Sequence, residues 1–273
     1  MTITTHDVEQ RSDEWYALRR GIVTASNVGK LITSTTPDPR TIGCPACSAN
    51  AGDPCVSRAR REPTEIATVH QVRSALAATL PPVLKLADND TERGLILSLA
   101  AERITGRTDD TYQSRDMLRG QLDEPLARAV YAEHYTPVEE VGFVTREFDG
   151  CTFGASPDGL VGPYGVLEIK SRRQAVQVGH VIDGEIPSEC MAQVQGVMYA
   201  TGRFWCHYVT YSSGMPLYLI YVAADPAWFA AIVAAVQDAE ARIQNIVSDY
   251  YAAVEGCPIT EYVDHFAEIE ISL

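Results

Sequence analysis

Between residues 154 and 170 the chain reads Gly-Ala-Ser-Pro-Asp-Gly-Leu-Val-Gly-Pro-Tyr-Gly-Val-Leu-Glu-Ile-Lys, and no other stretch restricts the fold as much. Two short apolar runs flank Gly162-Pro163-Tyr164-Gly165, the pattern of a β-hairpin. Side chains alternate along a strand, so Glu168 and Lys170 share one face while Leu167 and Ile169 point into the core. The returning strand brings Asp158 opposite this pair. Two carboxylates beside one ammonium make a site for a hard divalent cation. Such a site suits phosphodiester hydrolysis, in which the metal polarises a phosphoryl oxygen and lowers the pKa of its water. The lysine would position the attacking water or stabilise the phosphorane. An exposed strand ion pair, with Asp158 capping a turn, accounts for the spacing equally well. Lysine usage favours the site: Lys30, Lys85 and Lys170 are the only lysines among 22 basic residues, and arginine cannot supply the same compact charge.

The whole chain has 273 residues, 46% of them apolar, enough to bury the core of one large domain or of one domain with an insertion. It contains no run of 18 uncharged apolar residues and starts with a polar segment, so a soluble cytoplasmic protein without membrane contact is expected, in the bacterial host cytoplasm if phage-encoded. A net charge of −14 argues against nonspecific coating of nucleic acid. The charge is uneven: nine acids and one base lie after Ala223, which leaves room for a basic channel elsewhere. Seven cysteines in a chain of this length without a secretory signal do not read as a disulfide framework. Cys151, Cys190, Cys206 and Cys257 are expected to be buried small hydrophobes.

Along the chain, Ser12 caps a helix over 13–20, Gly21 breaks it, and a second helix starts at Thr24 and runs through Val28 and Leu31. Trp15, Leu18 and Ile22 are expected in the core. Arg19 with the hydroxyls of a Thr24-Ala25-Ser26 helix start makes either a phosphate site or an ordinary cap. Helices follow over 90–105 and 115–135, the second with Leu118, Leu122, Leu126 and Val130 as its buried stripe. Glu124 and Arg128 lie off that stripe, by default as an exposed i,i+4 pair. Strands over 139–147 and 152–155 lead into the hairpin, after which Arg172 and Arg173 stand where a nucleic-acid backbone would pass. A helix over 188–200 has Met191, Val194, Val197 and Met198 as its core face. Its Gln193, Gly196 and Ala200 have little bulk, so backbone or phosphate can approach closely. Strands over 204–211 and 216–223 and a helix over 226–255 complete the scaffold.

Residues 34–85 differ in composition and read as an insertion into a domain formed by 1–33 and 86–273. Cys44 and Cys47 at x2 spacing form half of a tetrahedral zinc site, and Gly52 and Pro54 turn the chain back to Cys55. His70, on a helix expected over 64–80, would complete a Cys3His set. Reduced, unligated cysteines are the alternative. So small a segment has little core, so zinc binding of about 10–16 kcal/mol would fold it. Arg58, Arg60, Arg61 and Arg73 make it either a DNA-contacting flap or a structural staple.

Asp158, nine residues, then Glu168-Ile169-Lys170 resembles the PD-(D/E)xK nuclease motif. Ser156-Pro157-Asp158-Gly159-Leu160 more narrowly resembles the lambda exonuclease/YqaJ-type viral recombinases. Three further stretches resemble that family in order: Trp15-x-x-Leu18-Arg19-x-Gly21-Ile22-Val23-Thr24-Ala25-Ser26, Gly120-x-x-x-Glu124-x-x-x-Arg128, and Met191-Ala192-Gln193-Val194-Gln195. The resemblance implies an α/β restriction-endonuclease-like fold, a central mixed sheet flanked by helices, here with a small zinc-binding insertion. It implies a Mg2+-dependent 5′-to-3′ exonuclease on double-stranded DNA, with Mn2+ as a substitute, feeding phage single-strand annealing recombination. By the same resemblance Asp158, Glu168, the Ile169 carbonyl and Glu124 serve the metal, and Lys170 serves the water. Arg19, Ser26, Ser156 and Gln193 hold the 5′-phosphate, and the chain forms a ring, typically a trimer, working with an annealing protein. Cys190 departs from the tyrosine often found three residues before the glutamine. The cysteine segment resembles actinophage modules with Cys-Pro-x-Cys followed by Gly-x-Pro-Cys, and the lambda-type enzyme has no such insertion. A structure-specific endonuclease and a non-catalytic zinc-module DNA-binding protein are the rival readings.

Overall fold

The computed structural model describes residues 1–57, 62–109 and 113–263. Strand β1 (Thr2–His6) and helix α1 (Asp13–Arg19) lead to β2 (Val23–Thr24), a 3-10 turn over Val28–Lys30 and β3 (Ile32–Thr35). The cysteine segment contributes β4 (Val56–Ser57), β5 (Thr64–Glu65) and α2 (Gln71–Ala78), and the chain returns through β6 (Val83–Leu86). Helices α3 (Asp90–Thr105) and α4 (Arg115–His134) precede β7 (Phe143–Phe148), β8 (Cys151–Ala155), β9 (Gly159–Val161) and β10 (Gly165–Ser171). The remainder is α5 (Gln174–Asp183), α6 (Ser188–Thr201), β11 (Trp205–Tyr211), β12 (Tyr218–Ala223) and α7 (Pro226–Ala253).

Two four-stranded mixed sheets carry the fold, in the orders β1-β7-β8-β2 and β12-β11-β10-β9. The expected hairpin is present: β9 and β10 pair antiparallel, Gly165 opposite Val161 and Leu167 opposite Gly159. Arg203 holds its turn through the carbonyls of Gly162 and Gly165, at 2.5 and 2.8 Å. On its other edge β10 runs parallel to β11, with Glu168 beside Tyr208. Both faces of β10 are covered, as the parallel strands of α/β folds are. Val166 packs with α6 and α7 in the main core. Leu167 and Ile169 join Ala127 and Tyr131 of α4 and Val209 of β11 in a second one. Thus Glu168, only 1% exposed, is a buried carboxylate rather than part of a surface ion pair.

Helices α1, α3, α6 and α7 fall close to their expected spans. Three expectations are corrected. The chain after Gly21 is not an α-helix from Thr24: Val23 and Thr24 pair parallel with Phe153 and Gly154 of β8, the Ala25 N–H continues to the Gly154 carbonyl at 2.8 Å, and only Val28–Lys30 form a 3-10 turn. Pairing with an existing strand outweighs a local helix start here. Room for it comes from glycines, because a Cβ on Gly154 would stand 2.3 Å from the Phe143 ring and one on Gly196 of α6 would stand 3.2 Å from Ala25 Cα. Trp15, Leu18 and Ile22 are consequently half-buried at the surface of this turn, not in the core.

The second correction concerns α4. Its leucine row faces outward, with Leu118, Leu122 and Leu126 exposed by 46, 64 and 55% and Val130 half-buried. The helix seats Ala127 and Tyr131 on β10 and β11, so the packed row is 124-127-128-131. Third, Cys257 is exposed. Among the described residues no helix is long and apolar enough to cross a membrane.

If α4 is seated this way, Leu122→Gln should leave stability within about 0.5 kcal/mol in denaturant melts. Tyr131→Ala should cost about 3–5 kcal/mol as a buried aromatic deletion. The reverse order of effects would contradict the packing.

Candidate functional site

The hairpin ladder ends at Gly159 opposite Leu167, and the next rung is made by a side chain. Asp158 Oδ2 accepts the Ile169 N–H at 2.6 Å. This holds the Asp158 carboxyl against the strand that carries Glu168 and Lys170. Lys170 Nζ lies 2.7 Å from Glu168 Oε1. Gln193 of α6 bridges the two, donating to Glu168 Oε1 at 2.6 Å and accepting from Lys170 at 3.0 Å. From the opposite wall, Arg128 of α4 donates to the Asp158 carbonyl at 2.7 Å and pairs with Glu124 at 2.5 Å. Glu124, Asp158, Glu168, Ile169, Lys170 and Gln193 therefore line one open cleft of about 630 Å³.

Charge in this cleft is unbalanced in a way that suits a cation. Burial, then the neighbouring Glu168 and Glu124, hold the Asp158 carboxyl well above the usual carboxylate range. Glu124 is also raised, by burial first, although Arg128 and Arg11 oppose it. Burial alone would lower the Lys170 pKa, but Glu168 and Asp158 carry it upward, so the ammonium stays charged. Glu168 Oε2 is buried with no hydrogen-bond partner. A buried carboxylate oxygen without a donor is costly, and a divalent ion bound by oxygen ligands would satisfy it.

The expected phosphate residues come together only in part. Arg19 donates to Ser156 Oγ at 3.3 Å and to Ser26 Oγ at 3.1 Å. Its guanidinium lies 4.1 Å from the centre of the Trp15 ring, and Trp15 Nε1 also donates to Ser156 at 2.8 Å. Burial lowers the Arg19 pKa to about 10, still protonated at neutral pH. Ser26 belongs to the turn after β2 rather than to a helix N-terminus, and it lines the cleft shared with Lys170. Gln193 bonds within the acidic-lysine group, with no hydrogen bond joining it to the Arg19 trio. Arg128 and Arg11 were not read as part of the site. Arg128 was legible as the i+4 partner of Glu124; Arg11, 3.8 Å from Glu124, carries no sequence signal.

In the cysteine segment, the ligand atoms of Cys44, Cys47, Cys55 and His70 all lie within 4.8 Å of one another. Zn–S bonds of about 2.3 Å in a tetrahedron require sulfurs roughly 3.8 Å apart, so the set fits zinc. The His70 backbone N–H pulls the Cys55 thiol down to about 6, against burial and with help from Arg73. Two expectations change. His70 caps α2 from outside, because Thr64 and Glu65 are a strand paired with β4. Arg73 is fully buried and donates to the carbonyls of Arg40, Ile42, Asn50 and Asp53 and to Cys55 Sγ, so it is not on a DNA-facing surface. Arg58, Arg60 and Arg61 lie outside the described residues.

Residues 77–204 match the model of the YqaJ-like viral recombinase domain. Residues 10–88 match a family described as "Putative DNA-binding phage zinc finger domain". Comparison with curated proteins gave no match. Among solved structures, the alkaline exonuclease LHK-Exo from Laribacter hongkongensis is similar at 24% identity, with 90% of this chain and 100% of that chain covered and a TM-score of 0.64. Its complex with dAMP aligns at 25% identity over the same shares, with a TM-score of 0.63. A phage-related exonuclease from Haemophilus somnus 129PT shares the fold at 13% identity and a TM-score of 0.50, with 85% of this chain and 98% of that chain covered. The matched recombinase-domain region and the likeness to an alkaline exonuclease at 25% identity support a deoxyribonuclease. More particularly, residues 77–204 are similar to a YqaJ-like viral recombinase domain and residues 10–88 to a phage zinc-binding domain.

Two outcomes follow from these geometries. The folded chain disfavours the Asp158 charge relative to the unfolded chain. Stability from this group is therefore full below the ordinary carboxylate pKa, about 4, and is lost as pH rises through the raised value. Metal-free Asp158→Asn should melt above the parent at pH 8, by about 2–4 °C per kcal/mol of relieved repulsion, with the gap closing toward pH 4. Equal melting at both pH values would exclude the repulsion. Elemental analysis should give one zinc per chain, falling toward zero in Cys55→Ser; undiminished zinc in that variant would remove Cys55 from the ligand set.

Proposed function

We propose that this protein is a Mg2+-dependent exonuclease that degrades one strand of duplex DNA from its 5′ end, within phage single-strand annealing recombination. The observation that carries the reading is one cleft shared by the acidic-lysine group and Ser26, the near edge of the Arg19–Ser26–Ser156 trio. A hydrolytic site beside a terminal-phosphate pocket gives cleavage a fixed polarity. In this reading Asp158, Glu168 and the Ile169 carbonyl hold Mg2+, or Mn2+ in its place, and Glu124 supports them. When bound, the ion supplies Lewis-acid polarisation of the phosphoryl oxygen and a water of lowered pKa.

The protein's own groups do the rest. Lys170, kept charged by its carboxylate neighbours and oriented by Gln193, donates hydrogen bonds to the attacking water or to the phosphorane oxygens. Arg19, backed by the Trp15 ring and the two serine hydroxyls, takes the terminal phosphate as a charged fork. Gln193 holds Glu168 and Lys170 in register and, lining the same cleft, serves the 5′-phosphate as a further donor in this reading. Residues 34–85 act as a zinc-folded insertion within the domain formed by 1–33 and 86–273, a division supported by entry and exit through the paired strands β3 and β6. A ring-shaped homo-oligomer, a trimer, acting with an annealing protein in the host cytoplasm, completes the proposal.

The test is a time course on linear duplex DNA with 5′-phosphate or 5′-hydroxyl ends and on covalently closed circles. Strand loss from phosphorylated ends with circles intact is expected. Lys170→Ala should lower the rate about 10²–10⁴-fold. Arg19→Ala should erode the preference for phosphorylated ends about 10–100-fold, the worth of a charged hydrogen-bond pair. Nicked circles would replace this reading with an endonuclease, and absence of Lys170-dependent cleavage would leave a DNA-binding module.

A further inference from the structure

A second cavity of about 520 Å³ shares Arg119, Arg172 and Arg173 with the lining of the catalytic cleft, and none of these arginines has a role in the reaction proposed above. Arg119 of α4 enters it from one side, and Arg172 and Arg173 from the end of β10 on the other. Gln174 and Ala175, the first residues of α5, line it together with Ser212 and Ser213. Arg173 is the N-cap of this ten-residue helix, and its side chain caps none of the first-turn N–H groups. In a chain of net charge −14, three guanidiniums around one helix start are a local reversal of sign. Such a helix end favours an anion.

One donor here has no acceptor, and the arginines on either side of it share a single carboxylate. Arg172 Nη2 is taken by the Tyr208 hydroxyl at 3.1 Å and by Cys190 Sγ at 3.4 Å, while its Nε is buried with no partner. Asp116, half exposed at the first turn of α4, supplies the missing negative charge. It accepts both Arg173 Nε and Nη2, at 3.0 and 2.8 Å, and Arg119 Nη1 at 2.6 Å. A carboxylate that accepts from two arginines, one on α4 and one at the start of α5, offers the same acceptor pattern as a phosphodiester. Asp123 also lines this cavity but is engaged by Ser171 at 2.6 Å.

We propose that this cavity is a second phosphate site for the nucleic-acid strand, at a phosphodiester away from the reacting one, and that Asp116 occupies its arginines until the strand displaces it. The inference rests on the nuclease reading and extends it to strand positioning. It sets two opposite expectations for neighbouring charges. Removing Arg173 loses a phosphate contact, whereas removing the Asp116 charge frees two guanidiniums and strengthens binding.

The experiment measures binding of the full-length protein to a 5′-phosphorylated duplex of 20 base pairs by fluorescence anisotropy, with Ca2+ replacing Mg2+ to prevent turnover, across 50 to 300 mM salt. Asp116→Asn should tighten binding about three- to tenfold. Arg173→Gln should weaken it about tenfold and reduce the slope of log K against log salt by about 1, one phosphate contact. In Mg2+, Arg173→Gln should raise KM for the duplex with kcat within about twofold. Arg119→Gln provides a second probe of the same site, and melting curves of all three variants check folding. Weaker binding by Asp116→Asn would make the Asp116–Arg173 contact a structural strut and overturn the proposal. Unchanged affinity and salt slope in both the Asp116 and Arg173 variants would also overturn it. A parent protein that cleaves while these variants bind unchanged loses only this site; a parent that cleaves no DNA loses the nuclease reading itself.

Discussion

The hydrogen bond from the Ile169 N–H to the Asp158 carboxylate is the constraint on which the site depends. Strand β9 is only three residues long, and its ladder with β10 stops at Gly159. Past that point the two chains would separate. Asp158 replaces the missing backbone acceptor with its own carboxylate, so one contact both completes the sheet and fixes the carboxyl beside Glu168. Arg128 then locks the Asp158 carbonyl from α4, and Gln193 locks Glu168 and Lys170 from α6. Each wall of the cleft thus holds one part of the group, and the positions of the helices follow from the side chains they must present.

Much of this was legible because it is local. Turn residues between apolar runs specify the hairpin, and alternation specifies which side chains share a face. Spacing along α7 puts Ile232, Val236 and Ile243 on its buried face, with Phe229, Val233, Ile246 and Val247 partly buried beside them; Trp228 and Ala239 complete that face without being singled out by the pattern. The small residues of α6 were read as a close-approach face, and Ala25 and Phe153 do approach Gly196. What failed was decided at long range. The leucines of α4 have perfect i+4 spacing, yet the helix turns a charged row inward because Glu124 and Arg128 complete the polar end of the hairpin. Periodicity reports that a face is apolar; it does not report which partner the fold will offer. Thr24 misled for the same reason, since β8 lies 130 residues away and its unpaired edge cannot be seen from the local sequence.

The zinc segment makes the complementary point. Its cysteines and histidine were found by spacing, because ligand geometry imposes short loops. Composition groups Arg73 with Arg58, Arg60 and Arg61 and leaves open whether the segment is a DNA-contacting flap or a structural staple. In the structure Arg73 lies at the centre, collecting four carbonyls from the loops that carry Cys44, Cys47 and Cys55. A segment with so few apolar residues, essentially Ala49, Val56, Ile66 and Val69 around the three thiols, uses a buried cation as its organising element. The guanidinium also donates to Cys55 Sγ at 3.3 Å and so offsets negative charge on that sulfur.

The route by which the chain enters and leaves that segment has a further meaning. Strands β3 and β6 pair from Ile32 opposite Leu86 to Thr35 opposite Val83, and the Ala87 N–H donates to the Leu31 carbonyl at 2.9 Å beneath them. This is a hairpin in every respect except its loop, which holds the whole cysteine module. Closing a loop costs free energy only as the logarithm of its length, about 0.6 kcal/mol per doubling. The loop over 36–82 therefore costs only about 3 kcal/mol more to close than a two-residue turn. Two paired strand ends at hydrogen-bonding distance are the only covalent ties of the cysteine segment to the rest of the chain, so a change in its length asks of those strands only that their ends stay together.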